Sequence, residues 1–288
     1  MMSAPILSRL SDPAPLEDDV TLVMRKAMRG MGLDIAALAA ESTVSVAEIE
    51  RFLGGNFSCD MARAVAPSLG LNADAMATLP VYRPNVPIMH SISRLVLPFE
   101  KDQVNAWLIR DEDQALLFDT GYLPDSAATL VSLLGVADLN LFLTHDHRDH
   151  VGGIAALRPI LKKQHMVPLG QTVSLGSLQV KCIDLAGHCI PSWGYVIEGL
   201  SRVICVTGDA LFAGSIGGCA DQFTYQMALR NIRQHVLSLP GDTILLPGHG
   251  PATTVAQELR RNPFVSGKTA KPAPEEEVNP MKKRSNFF

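Results

Sequence analysis

The sequence predicts an α/β (α+β) protein, with two β-sheets faced by helices and a small all-α region in front of them. Three observations carry this. Short apolar runs of strand type recur from Ile92 onward, with helical patterns between them. Residues 18–79 are instead helical and compact throughout. One apolar run, 139–143, broken only by Asn140, leads straight into Thr144-His145-Asp146-His147-Arg148-Asp149-His150. That run reads as a buried strand. It delivers three His and two Asp within six positions to the place where a strand ends. Open α/β sheets put ligands at that kind of location. Imidazole and carboxylate together suit zinc, iron or manganese.

Composition narrows the classes of function. A hydrophobic fraction of 47% over 288 residues can build a full core. A net charge of -4 gives no global attraction to nucleic acid or to anionic membranes. No apolar run approaches the length of a bilayer span. Residues 1–17 carry Pro5, Pro13 and Pro15 and lack the basic start and apolar core of a secretory signal. They read as a flexible lead-in, and a cytoplasmic location is expected. Five cysteines, an odd number with no C-x-x-C pair, argue against a disulfide framework.

The helical region 18–79 opens with a helix marked by Val20, Leu22, Val23, Ala27 and Met28, which Gly30 and Gly32 break. Asp34 is placed to cap a second helix carrying Ile35, Leu38 and Ala39. Ser45 is placed to cap a third, with Glu48 at the capping-box position and Val46, Ile49, Phe52 and Leu53 as its apolar face. A fourth helix is expected over 61–69. Short helices with a turn between the second and third resemble a lambda-repressor-like helix-turn-helix domain. That resemblance implies DNA as a partner. The outward residues of the third helix are Ala47, Glu48, Glu50 and Arg51, and residues 17–79 hold nine acids against five bases. An acidic-leaning face has the wrong sign for phosphates. Ile35 also stands where that family often has Gln. A helical bundle used for homodimerisation, or for packing against the main domain, is therefore the favoured expectation, with the main domain able to fold without it.

Pro80, Pro84 and Pro87 mark residues 80–91 as a linker. The main domain is expected over 92–265, with strands at 92–97, 104–109 and 115–118, then Asp119-Thr120-Gly121 at a turn and a helix over 124–134. After the His/Asp cluster, Gly152-Gly153 opens a helix with Ile154, Leu157 and Ile160. Residues 172–185 read as a hairpin turning at Gly176-Ser177. Further strands are expected at 195–198, 203–207 and 243–246, an amphipathic helix at 225–239 and a closing helix at 255–261. The polar, Pro-rich, charged stretch 266–288 reads as a disordered tail.

A hydrolytic site with two metals needs about seven protein ligands, three or so per ion and a bridge. His145 and His147, two apart on extended chain, point the same way. Asp149 and His150 follow the turn and can serve a second ion. His188, Asp209 and His249 each sit in a turn after a strand, beside Gly187, Gly208 and Gly248. Glycine there lets the backbone bring a ligand close.

These motifs resemble the metallo-β-lactamase superfamily, and within it the short branch of glyoxalase II-like (hydroxyacylglutathione hydrolase-like) enzymes. The residues that carry the resemblance are Thr144 to His150, Gly187-His188, the run from Gly208-Asp209 to Gly217, Pro247-Gly248-His249-Gly250 and Arg261-Asn262-Pro263-Phe264. It implies an αββα sandwich with a dinuclear site, most simply of zinc, with iron or manganese as alternatives. His145, His147 and His188 would hold the first metal. Asp149, His150 and His249 would hold the second, with Asp209 bridging and Asp119 orienting a ligand His from behind. The implied reaction is hydrolysis of a thioester or ester by a hydroxide shared between the ions. Departures from the branch bear on substrate. Gly218, followed by Cys219, stands where the family carries an Arg or Lys suited to a glutathione carboxylate. Cys189-Ile190-Pro191-Ser192-Trp193 replaces its usual Thr-Pro-Gly-Ser. Cys189 and Cys219 are expected as small buried residues. A mononuclear-iron persulfide dioxygenase, a lactonase and a metabolite-sensing DNA-binding regulator remain as alternatives.

Overall fold

The computed structural model describes residues 4–266. From residue 267 on, the expected tail lies outside the described residues. Strand β1 (Ile6–Arg9) is followed by helices α1 (Val20–Met31), α2 (Ile35–Ser42), α3 (Val46–Leu53), α4 (Cys59–Val65) and α5 (Ala73–Thr78). Every one of these helices starts on a side-chain cap: Asp19, Asp34, Ser45, Ser58 and Asn72 each accept from a backbone N–H of the first turn. Ser45 and Glu48 form the reciprocal capping box expected of them. The fourth helix starts two residues earlier than expected, behind Ser58, and ends at Val65.

Two six-stranded sheets follow. The first runs β1, β2 (Ile92–Phe99), β3 (Asp102–Asp111), β4 (Gln114–Phe118), β5 (Leu139–Phe142) and β6 (Leu161–Gln164). Its β4–β5 and β5–β6 pairs are parallel and the rest antiparallel. Helices α6 (Ser126–Leu133), α7 (Arg148–Val151) and α8 (Ile154–Leu157) make the crossovers. The second sheet is built from β7 (Thr172–Leu175), β8 (Leu178–Asp184), β9 (Trp193–Glu198) and β10 (Ile204–Gly208). A small hairpin, β11 (Leu211–Phe212) with β12 (Ser215–Ile216), and helix α9 (Gln222–Asn231) come next. Then β13 (Ile244–Pro247), β14 (Thr253–Thr254) and α10 (Val255–Arg261) close the fold. Strand order in that sheet is β14-β13-β10-β9-β8-β7.

Strand periodicity sorts the core into layers. Trp107, Phe118, Tyr195, Ile197, Ile204, Val206, Ile244 and Leu246 fill the space between the sheets. Their neighbours one residue away point the other way. Ala106, Leu108, Ala115 and Leu117 lie under α6 and α8. Val196, Cys205 and Leu245 face α9 and α10. Buried on both faces, these strands read as unbroken apolar runs. This is the αββα sandwich.

One expectation is corrected, and two features add to the others. Residues 6–9, expected within a flexible lead-in, pair with β2 in the register Ile6↔Val96 to Arg9↔Ser93, and Leu10 behind them is buried. Four residues without an apolar alternation gain strand character from the sheet edge they meet, which no local pattern encodes. Strand β6, with Lys162 and Lys163 exposed, carries little apolar signal in the sequence because it lies at the sheet edge. Lastly, the core of the helical region runs on into the outer face of the second sheet, the packing against the main domain that was one of the two expected uses of the bundle. Val23, Met24, Leu38, Ile49 and Phe52 belong to one apolar cluster with Ile183, Leu185, Val196 and Leu245 of the second sheet. The linker shares in this continuity through Tyr82, while its Val86 is buried in the layer between the sheets. Among the described residues no helix is long and apolar enough to cross a membrane.

Candidate metal centre

All of the sequence-predicted site residues come from C-terminal ends of strands. Asp119 follows β4, the segment 144–150 follows β5, His188 lies beyond β8, Asp209 follows β10 and His249 follows β13. The strand ends bring them into two groups. In one are His145, His147 and His188; in the other are Asp149, His150, Asp209 and His249. Within each group the donor atoms all lie within 4.8 Å of one another. The spacing follows from local structure. His147 is the last extended residue and α7 begins at Arg148, so the first helical turn swings Asp149 and His150 away from His145 and His147 into the second group.

In the first group His145 Nε2 lies 3.0 Å from His147 Nδ1, which lies 3.2 Å from His188 Nε2. In the second, His150 Nε2 is 3.3 Å from Asp209 Oδ1, and His249 Nε2 is 3.4 Å from Asp149 Oδ2. Asp209 links the two: its Oδ2 stands 3.6 Å from His188 Nε2 and 3.5 Å from His249 Nε2.

The outward nitrogens show how each ring is held. His150 Nδ1 donates to Asp119 Oδ2 at 2.8 Å, His188 Nδ1 to the Gly218 carbonyl at 2.7 Å and His249 Nδ1 to the Gln103 carbonyl at 2.8 Å. His145 Nδ1 lies 3.0 Å from Thr144 Oγ1, which itself donates to Asp119 Oδ2 at 2.8 Å. Those acceptors fix the tautomer, so four imidazoles turn a bare Nε2 lone pair inward. His150 Nε2 and Asp209 Oδ1 are accordingly buried acceptors without a hydrogen-bond partner. Two acceptors 3.3 Å apart in a dry interior repel unless a cation stands near both. The donor set therefore fits divalent metal ions.

Electrostatics agree. Burial disfavours an imidazolium at His150, but the Asp209 and Asp119 carboxylates outweigh it and raise its pKa to about 10. A positive charge is wanted at this position. Burial, with His150 beside it, pushes His145 down to about 4, which leaves a neutral ring ready to ligate. Asp149 stays below its usual range, because His249 and His150 outweigh the effect of burial.

Glycine is required where a side chain would occupy the centre. A Cβ on Gly248 would stand 2.1 Å from Asp209 Oδ1 and 2.7 Å from His150 Cε1. Gly208, at φ +49°, turns the chain beside Thr144. Thr144, which no residue type marks in the sequence, braces the centre through Asp119. Its backbone N–H and hydroxyl both bond Asp119. The only sign of it in the sequence was its place directly before the first His. Cys219 is buried as expected, but Cys189 is only partly so, with Sγ 3.5 Å from Asp146 Oδ1. Phe99 and Phe212 flank His249, with ring centroids 6.3 and 5.8 Å away. The open side lies at exposed His147 and half-buried His188.

A two-sheet αββα fold thus carries, at its strand ends, a His/Asp cluster whose donor set could hold metal ions. Residues 100–181 match the family model of the Metallo-beta-lactamase superfamily. Among curated relatives, the probable metallo-hydrolase YqgX of Bacillus subtilis is 27% identical over 206 residues, 59% of this chain and 96% of the relative. Hydroxyacylglutathione hydrolase GloC of Haemophilus influenzae is 27% identical over 213 residues, 60% of this chain and 98% of the relative. Among solved structures, the BLEG-1 B3 metallo-beta-lactamase superposes with a TM-score of 0.52 at 26% identity, covering 61% of this chain and 100% of that one. ETHE1 from Myxococcus xanthus gives 0.51 at 25% identity, over 62% of this chain and 85% of its own.

Proposed function

We propose that the protein is a metal-dependent hydrolase of thioesters or related esters, of the glyoxalase II type, working with two divalent ions. One observation carries the reading: Asp209 stands between two ligand groups in which four of the five imidazoles are tied back through Nδ1, leaving inward lone pairs. In this reading His145, His147 and His188 hold one ion, Asp149, His150 and His249 the other, and Asp209 bridges. When bound, such a pair supplies a water acidic enough to act near neutral pH and a Lewis acid for the acyl carbonyl. Zinc is the simplest occupant of this donor set, and iron or manganese also suit it.

The chain's own residues do the rest. Asp119 and Thr144 fix the rings of His150 and His145. Asp149 and Asp209 supply anionic oxygens that hold a proton poorly, since neighbouring imidazoles depress both carboxyls. Phe99 and Phe212 wall the second group. The open face at His147 and His188 leaves an acyl group room to approach. A thiolate departs without a strong general acid, so this reading assigns none among the described residues. Glutathione is not the required carrier of the thioester. Gly218 offers its carbonyl to His188 and presents no cation, so the search extends to other thioesters, esters and lactones.

The test is elemental analysis with S-lactoylglutathione hydrolysis measured on the same sample. Two metals per chain with thioester turnover is the expected result. Two metals without that turnover would move the search to the other acyl substrates. One iron per chain with oxygen consumption would replace the hydrolase reading by a persulfide dioxygenase.

A further inference from the structure

Two of the helical region's contacts with the metal centre's supports are made on or beside α1. Lys26 Nζ donates to the Ile216 carbonyl at 2.8 Å and pairs with the Asp18 carboxylate. Asp18 in turn accepts from Ser215 Oγ at 2.5 Å. The β11–β12 hairpin is thereby clamped at its last two residues. Gly217 and Gly218 come next, and the Gly218 carbonyl holds His188 Nδ1. The Lys26 stem lies along this stretch, with Cε 3.9 Å from where a Cβ on Gly218 would stand and Nζ 5.1 Å from the Phe212 ring centroid.

One turn further along α1, Gly30 is pressed onto α9. A Cβ there would stand 2.3 Å from the Tyr225 ring. One turn further along the same side of α9, Ala228 meets Gly187 so closely that a Cβ on Gly187 would stand 2.3 Å from it. Asn231 of the same helix donates to the Ala186 carbonyl at 3.0 Å. Residues 186 and 187 are the two before His188. The two supports of His188, the Gly218 carbonyl and the α9 face under Gly187, are thus both backed by α1.

We propose that α1 is a strut of the first ligand group: Lys26, through Ile216 and Asp18, and Gly30, through Tyr225, set the position of His188. The helical region is then part of the metal centre, and Lys26 is a positioning residue two links removed from the ligand. This rests on the metal-centre reading above. It goes beyond that reading in assigning a task to the helical region.

The test uses the full chain. A Lys26→Met/Asp18→Asn pair removes the clamp without leaving a buried carboxylate unpaired. Lys26→Arg keeps charge and donor. Arg63→Ala, which breaks the exposed Arg63–Asp74 pair, is the control in the same region. Zinc retention is followed against a graded chelator, and the imidazole nitrogens of the stripped protein are followed by NMR. Loss of a ligand's outer partner lowers metal affinity by roughly 10–100-fold, so the double variant is expected to release one of its two ions about tenfold more readily. The other ion should be held as in the parent. The stripped double variant should lose the protected Nδ1–H of His188, with Lys26→Arg and Arg63→Ala like the parent. Unchanged His188 signals in the double variant would overturn the strut whatever the metal count. So would loss of both ions in parallel with a general fall in thermal stability. A parent that holds a single ion but shows the His188 change would defeat the dinuclear reading and leave the strut standing.

Discussion

At Asp209 two requirements meet in one carboxylate, since its oxygens lie within 3.6 Å of Nε2 atoms from His150, His188 and His249. Asp209→Ala is expected to empty both groups, reading as less than one metal per chain. Its activity loss should exceed the roughly 10–100-fold that follows from removing an outer partner. Full activity in that variant would end the two-ion assignment. Asp119 gives a graded comparison. It accepts from Thr144 N, Thr144 Oγ1 and His150 Nδ1. Asp119→Asn keeps the shape but turns an acceptor into a donor facing His150. About 10–100-fold weaker retention of the second ion is expected from competition with a chelator. The residues that gather at the centre were legible because His and Asp at strand ends are conspicuous by type. Thr144 was not, because a threonine carries no such mark and its role exists only once β4 and β5 lie side by side.

Elements were legible where burial wrote a pattern. The hairpin from β7 to β8 turns at Gly176-Ser177 and α10 spans Val255–Arg261, both as the sequence implied. The amphipathic run expected over 225–239 begins earlier, behind the Asp221 cap, and passes into a π-helical stretch at Ile232–Val236, a change of pitch the apolar period does not show. Also illegible was what fastens α10 to the linker. Glu258 is wholly buried and accepts four hydrogen bonds, from Tyr82, Thr253, Gly214 N–H and Asn262. Burial outweighs those donors and raises its pKa. The folded state therefore keeps the Glu258 proton to higher pH than the unfolded chain does. The stability this gives is complete below the ordinary glutamate pKa and is lost as pH rises through the folded value. Glu258→Gln mimics the protonated form yet sets an amide N–H₂ against two of the donors, at a cost of about 1–3 kcal/mol. Urea unfolding of chelator-treated protein at pH 4 and pH 7 should show the parent more stable at both, with the gap narrower at pH 7. A gap that widens with pH would mean that the folded state favours the carboxylate.

Over the whole molecule, the sequence divides at its prolines but the packing does not. Pro80, Pro84 and Pro87 mark a change from helices to strands, and a self-sufficient main domain was the natural expectation. The apolar cluster instead runs from α1 through α9 to the outer face of the second sheet. Asn72 N–H bonds the Pro263 carbonyl at 2.8 Å near the far end of the fold. Such continuity is invisible in sequence because an apolar helix face looks the same whether it meets another helix or a sheet. It decides what truncation does. Removing residues 1–80 strips β1 from the first sheet and uncovers Tyr225, Leu211 and Ile216, all buried in the whole chain. Burial of a large apolar side chain is worth about 1.5–3 kcal/mol. Uncovering only a handful would consume much of the roughly 5–15 kcal/mol by which a domain is stable. A chain beginning at residue 81 is therefore expected to aggregate on expression, and any soluble fraction to hold fewer than two metals. Size-exclusion chromatography with elemental analysis reads both quantities. A monodisperse fragment carrying two ions would show that the second sheet needs no cover and would remove α1 from the metal centre as well.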